Sequence, residues 1–99
     1  MMTFETFRRG LSGTAPPAGL DLALQALWWA HNSDWERAHG CVQQQEGDPA
    51  CDWVHAHLHR VEGDASNAGY WYRRAGKPVA TLPLQEEWTA IATQLLTPN

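Results

Sequence analysis

Val54-His55-Ala56-His57-Leu58-His59-Arg60-Val61-Glu62-Gly63-Asp64-Ala65-Ser66-Asn67-Ala68 is the stretch that decides the fold, because it has a counterpart thirty residues earlier. The earlier copy is Leu24-Gln25-Ala26-Leu27-Trp28-Trp29-Ala30-His31-Asn32-Ser33-Asp34-Trp35-Glu36-Arg37-Ala38. At this offset Ala26 pairs with Ala56, Asp34 with Asp64 and Ala38 with Ala68. Repetition at such a period belongs to helical arrays, in which one unit cannot bury its apolar face alone and stacks on the next.

The residues around both copies carry helical spacing. Leu20, Ala23, Leu24, Leu27, Trp28 and His31 recur at intervals of three and four, which predicts a helix over 20–31. Ser33 with Glu36 reads as a capping box that starts a second helix carrying Trp35, Ala38, Val42 and Gln45 and ending near Gly47. Asp48-Pro49 opens a third, since aspartate caps and proline suits the first helical position, where its missing N–H would be unpaired anyway. Its periodic residues are Trp53, Val54, His57, Leu58 and Val61, and Gly63 stops it. Asp64 begins a fourth, with Ala65, Ala68, Tyr72 and Ala75 facing inward and Gly76 and Pro78 closing it. A short extended link over 79–82 leads to a last helix over 83–97, burying Leu84, Trp88, Ile91, Ala92 and Leu95. Residues 1–19 are broken up by Gly10, Gly13, Pro16, Pro17 and Gly19 and read as a flexible or loosely packed arm; if packed, Phe4 and Phe7 would cap the first helix pair. The expected fold is all-α: two antiparallel helix hairpins, 20–47 and 48–78, stacked with a right-handed turn, plus a C-terminal capping helix over 83–97, in one domain over 20–97.

Ninety-nine residues suffice for one small core, and 43% apolar content is ordinary for a globular chain. A formal charge of −4 argues against a general nucleic-acid binder and against an anionic membrane surface. Two cysteines cannot build a disulfide scaffold, no stretch approaches the roughly 20 apolar residues that span a bilayer, and the N-terminal segment lacks the apolar core of a signal peptide. The expectation is a cytoplasmic protein with reduced thiols and no cofactor.

With these elements placed, the chain resembles a tetratricopeptide-type repeat. Ala56 and Ala68 stand at the small positions where paired helices cross, Gly63-Asp64 at the turn, Tyr72 at the aromatic position and Ala75 at the late small position. The first copy keeps Ala26 and Ala38 but has Ser33 at the turn glycine and Val42 and Gln45 at the aromatic and alanine positions. Sel1-like repeats share the Gly-Asp-x-x-x-Ala turn, and the segment from Trp53 to Gly76 is also similar to small bacterial proteins of this shape with no assigned reaction. The resemblance implies a protein- or peptide-binding module, more a binder than an enzyme. The first helix of each pair would line a groove, with Trp53, His57, Arg60 and Val61 from the second copy and Ala23, Leu27, Ala30 and His31 from the first. Trp53, His57, Arg60 and His31 are then the candidate ligand contacts.

Three further features carry possible chemistry. Arg73 and Arg74, with Arg60 and Lys77, form a local basic cluster: either a solvated face balanced by Glu62 and Asp64, or a site for an acidic peptide tail or a phosphate. His55, His57 and His59 alternate on the third helix, and Cys51, His55 and His59 fall at i, i+4 and i+8. Such a stripe is more simply packed beside Trp53 and hydrogen-bonded than metal-binding, so no metal is assigned; Cys51, His55 and His59 are the candidate ligands if there is one. A thiol enzyme pairing Cys51 or Cys41 with His39, His55 or His59 is the catalytic alternative, without any residue to orient it. Six tryptophans suit a thin array that needs large side chains to fill its core, with one ring of Trp28–Trp29 and one of Trp71–Tyr72 near the surface. Because two repeats leave apolar ends uncovered, the partner could also be a second copy of the chain.

Overall fold

The computed structural model describes residues 2–97, and every regular element among them is helical. α1 is Phe4–Arg9, followed by a 3-10 turn over Gly10–Ser12. α2 is Leu22–His31, α3 Trp35–Gln43, α4 Pro49–Val61, α5 Ala65–Ala75 and α6 Leu84–Leu96. α4 packs most extensively on α5 and α2 on α3, with α3 against α4 joining the two pairs. No helix among the described residues is long and apolar enough to cross a membrane.

Local chemistry sets the helix starts. Asp21, Asp34, Asp48 and Asp64 each accept the backbone N–H three residues on, satisfying an amide that the first turn leaves unpaired. Pro49 sits in the first turn of α4. The expected Ser33–Glu36 capping box does not form. Asp34 is the cap, and Ser33 takes a left-handed conformation with φ 63°. The reason lies in the thirty-residue repetition itself, for Ser33 occupies the turn position filled by Gly63 in the second copy, at φ 87°. The two turns match bond for bond: Ser33 N–H to Ala30 and Gly63 N–H to Arg60, Asp34 N–H to Trp29 and Asp64 N–H to His59. Ala26, Ala38, Ala56 and Ala68 are all buried, where small side chains let the helices approach closely. Gly76 ends α5 in the left-handed region, as read from the sequence.

The structure decides two expectations about the ends. Residues 4–12 are helical and packed, the alternative that the arm reading left open for Phe4 and Phe7: Phe7 is fully buried and stacks on Trp88 at 5.9 Å, Phe4 packs against the core, Leu11 is buried, and Trp28 Nε1–H donates to Gly10 O at 3.0 Å. Of the residues that interrupt the pattern, Gly10 belongs to this anchor, and Gly13, Pro16, Pro17 and Gly19 follow it. α6 packs on α4, α2 and α1, so it lies across the first helices of both pairs. Trp88 Nε1–H donates to Leu27 O at 2.8 Å there, and Ile91 and Ala92 are buried beneath it. Leu84, expected inward, is exposed, and Glu87 takes an inward position instead. Ala65 and Val61 are also exposed, at the ends of their helices, where the chain turns out to solvent.

Candidate functional site

The face that the repeat resemblance assigned to a ligand is occupied by the chain's own last helix. Glu87, one turn into α6, is 3% exposed and reaches α4 and α5. Its Oε1 accepts from His57 Nδ1 at 2.7 Å and from Arg60 Nη1 at 3.0 Å, and its Oε2 accepts from the Tyr72 hydroxyl. Burial alone would raise the Glu87 carboxyl, but the bonds from His57, Tyr72 and Arg60 outweigh it and hold the group below the usual carboxylate range. Tyr72 is pushed the other way, above the usual phenol range, by burial and by its bond to the carboxylate. His57 is therefore a buried structural donor and not a groove contact, and Arg60 is engaged by Glu87 and the Leu82 carbonyl. Trp53 stays half-buried beside Lys77, whose ammonium lies 4.2 Å above its ring. His31 is exposed and lies 5.2 Å from the Trp88 ring. The structure thus does not bring His31, Trp53, His57 and Arg60 together on one open surface.

The basic cluster is also distributed differently. Arg74 stacks over Trp71 at 4.8 Å and approaches the buried Asp52 at 3.9 Å, while Arg60 pairs with Glu87. Glu62, expected to balance these cations, binds His59 instead. Arg73 is exposed on α5. Trp71 and Tyr72 are both buried, against the expectation that one would face solvent; Tyr70 is the exposed ring of that run.

A histidine cluster lies between α3 and α4. Trp35 and His39 are one turn apart on α3, His55 and His59 one turn apart on α4, and the packing of the two helices sets these pairs face to face. His39 Nε2 lies 3.0 Å from His55 Nε2, and His39, His55 and His59 each present a possible ligand atom within 4.8 Å of the others. His59 Nδ1–H donates to Glu62 Oε2 at 2.6 Å. Aromatic walls hold the rings: His55 stacks on Trp71 at 3.8 Å, and His39 on Trp35 at 4.5 Å. Trp35 is itself pinned by Nε1–H to Leu58 O at 2.7 Å. Burial, and after it the neighbouring His39, His59 and Arg74, push His55 down to about 3. Burial also lowers His39, with His59 adding to it against Glu62 and Glu46.

Cys51 does not belong to this cluster. Its thiol lies 3.8 Å from Gln45 Oε1, and burial followed by Asp48 pushes it up to about 12. Burial likewise raises Cys41. Both shifts favour the protonated thiol over the thiolate that the catalytic alternative requires. The i, i+4 arithmetic found His55 and His59 but extended the stripe along one helix, whereas the third member comes from the neighbouring helix. The matching four-residue spacing of Trp35 and His39 was the available signal. Nothing around Glu87 marks it in the sequence.

No protein-family model matches this chain, and neither a curated protein nor a solved structure matches it.

Proposed function

We propose that the protein is a protein-binding helical-repeat module of the cytoplasm whose partner docks on the hollow lined by Trp53, Lys77, Val79 and Leu82. One observation carries this reading. Val61, Tyr70, Val79, Leu82 and Leu84 are the exposed large hydrophobic residues among the described ones, and two of them, Val79 and Leu82, come together. Val79 and Leu82 line a hollow with Trp53 and Lys77, and Arg73 and Arg74 stand on the neighbouring helix. Apolar residues rimmed by polar ones mark interaction surfaces more than scattered exposure does. Lys77 at the hollow favours a partner that places a carboxylate beside its own apolar residues, and the overall charge of −4 speaks against nucleic acid or an anionic membrane. The groove along α2 and α4 is not the docking face in this reading, since α6 fills it.

A photo-crosslinking residue at position 79 tests this, with a second at the exposed position 36 on α3 as control. In cells that make the protein natively, position 79 should form one discrete adduct that position 36 does not, and Leu82→Asp should remove it. An adduct of twice the protein's mass would identify a second copy as the partner. Equal labelling from both positions, or none from position 79, would sink the assignment.

A further inference from the structure

We propose that His39, His55 and His59 form a binding site for a zinc ion, independent of the docking surface. Three observations carry it. First, the ring nitrogens are already close to what the metal needs. Zinc–imidazole bonds of about 2.0–2.1 Å put tetrahedral neighbours about 3.3 Å apart. His39 and His55 are 3.0 Å apart, and the possible ligand atoms of all three histidines lie within 4.8 Å of one another.

Second, the surroundings are those that hold a metal-ligating imidazole. His59 gives Nδ1–H to Glu62, which fixes the tautomer, raises the basicity of the ring and leaves Nε2 as the nitrogen free to bind. Trp35 and Trp71 stack against the other two rings, fixing their planes and forming an apolar wall. Three imidazoles without a thiolate or carboxylate suit zinc and its late first-row neighbours over calcium or magnesium.

Third, hydrogen bonding within the protein leaves His55 unsatisfied. His55 is 2% exposed, its Nδ1 has no partner, and its Nε2 meets only another imidazole nitrogen. Core histidines kept for packing are normally satisfied by backbone or acid groups, as His57 is by Glu87. His39 is partly exposed, so an ion has a way in from solvent and the fourth position is left to water.

The test uses the full chain without a histidine tag, stripped by chelator and titrated with zinc and, separately, with cobalt(II). One equivalent of each should bind, and cobalt should show the intense visible absorption of four-coordinate geometry. Glu62→Gln should weaken zinc about 10–100-fold. His39→Ala should weaken it at least as much, and His31→Ala, outside the cluster, should leave it unchanged. X-ray absorption of the zinc-loaded native protein counts imidazole ligands without any variant, so the result does not depend on the variants folding. Less than a tenth of an equivalent bound, fewer than three imidazoles at the metal, or equal affinity in folded His39→Ala would each overturn the proposal.

Discussion

Replacing Glu87 should be among the most damaging single changes in the chain, and the damage should depend on pH. The carboxylate is 3% exposed and joins α6 to α4 through His57 and Arg60, and to α5 through Tyr72. Glu87→Ala strands the buried donors of His57 and Tyr72, while Arg60, which is partly exposed, recovers water. Removing one partner from a buried, hydrogen-bonded charge network costs about 3–5 kcal/mol. At about 4–8 °C per kcal/mol for a chain of this size, the midpoint of thermal unfolding should fall by roughly 12 °C or more. Glu87→Gln keeps the shape and an acceptor and should lose less, about 1–3 kcal/mol. The pH dependence follows from the lowered carboxyl of Glu87. A group whose folded value lies below its unfolded one contributes stability that is present above the unfolded value, about 4.3 for glutamate, and is lost as pH falls through the folded value. The advantage of the native protein over Glu87→Gln should therefore be complete at neutral pH and shrink in acid. Urea denaturation followed by circular dichroism, at neutral pH and at several acid pH values, measures it. A loss below about 1 kcal/mol for Glu87→Ala, or a native-minus-glutamine difference that does not change with pH, would refute the buried-carboxylate account.

Three other outcomes are expected. Phe7→Ala should destabilise by about 3–5 kcal/mol, because a fully buried ring leaves a cavity against Trp88; a loss under about 1 kcal/mol in denaturant titration would mean that α1 is not anchored. Cys51, whose thiol is pushed up to about 12, should react with a disulfide reagent at mildly alkaline pH only as fast as the protein unfolds, and fast labelling under native conditions would contradict its burial. Ser33→Gly should change stability little or raise it by up to about 1 kcal/mol, whereas Gly63→Ala should lower it by about 1–2 kcal/mol, since both residues hold φ above 60° and only glycine does so without strain; thermal melts in which both changes act with the same sign would argue against equivalent turns.

What could be read from the sequence is what is decided within a few residues. Asp48-Pro49, Asp64 and Gly76 act through bonds to backbone groups three or four positions away, so their chemistry is complete in a short window. The alanine pairs at the thirty-residue offset announce buried positions for the same reason: a small side chain fits a close contact wherever its neighbour comes from. Ser33 shows the limit of such reading, because its residue type favours a cap while its place in the repeat imposes a turn.

The sequence by itself determined the all-helical class, the starts of α4 and α5 at Asp48 and Asp64, and the close of α5 at Gly76. Tertiary structure alone decided which helix covers which face, and with it the state of every candidate residue. α6 lies over α2 and α4, so His57 became a buried donor to Glu87, thirty positions away, and Arg60 an ion-pair partner instead of a ligand contact. α3 lies against α4, so His39 replaced Cys51 beside His55 and His59. The physical reason is one of range. Hydrogen bonds that cap a helix are closed by the chain's own neighbours, whereas a buried carboxylate or a histidine cluster is closed by side chains from other helices, and packing alone selects them.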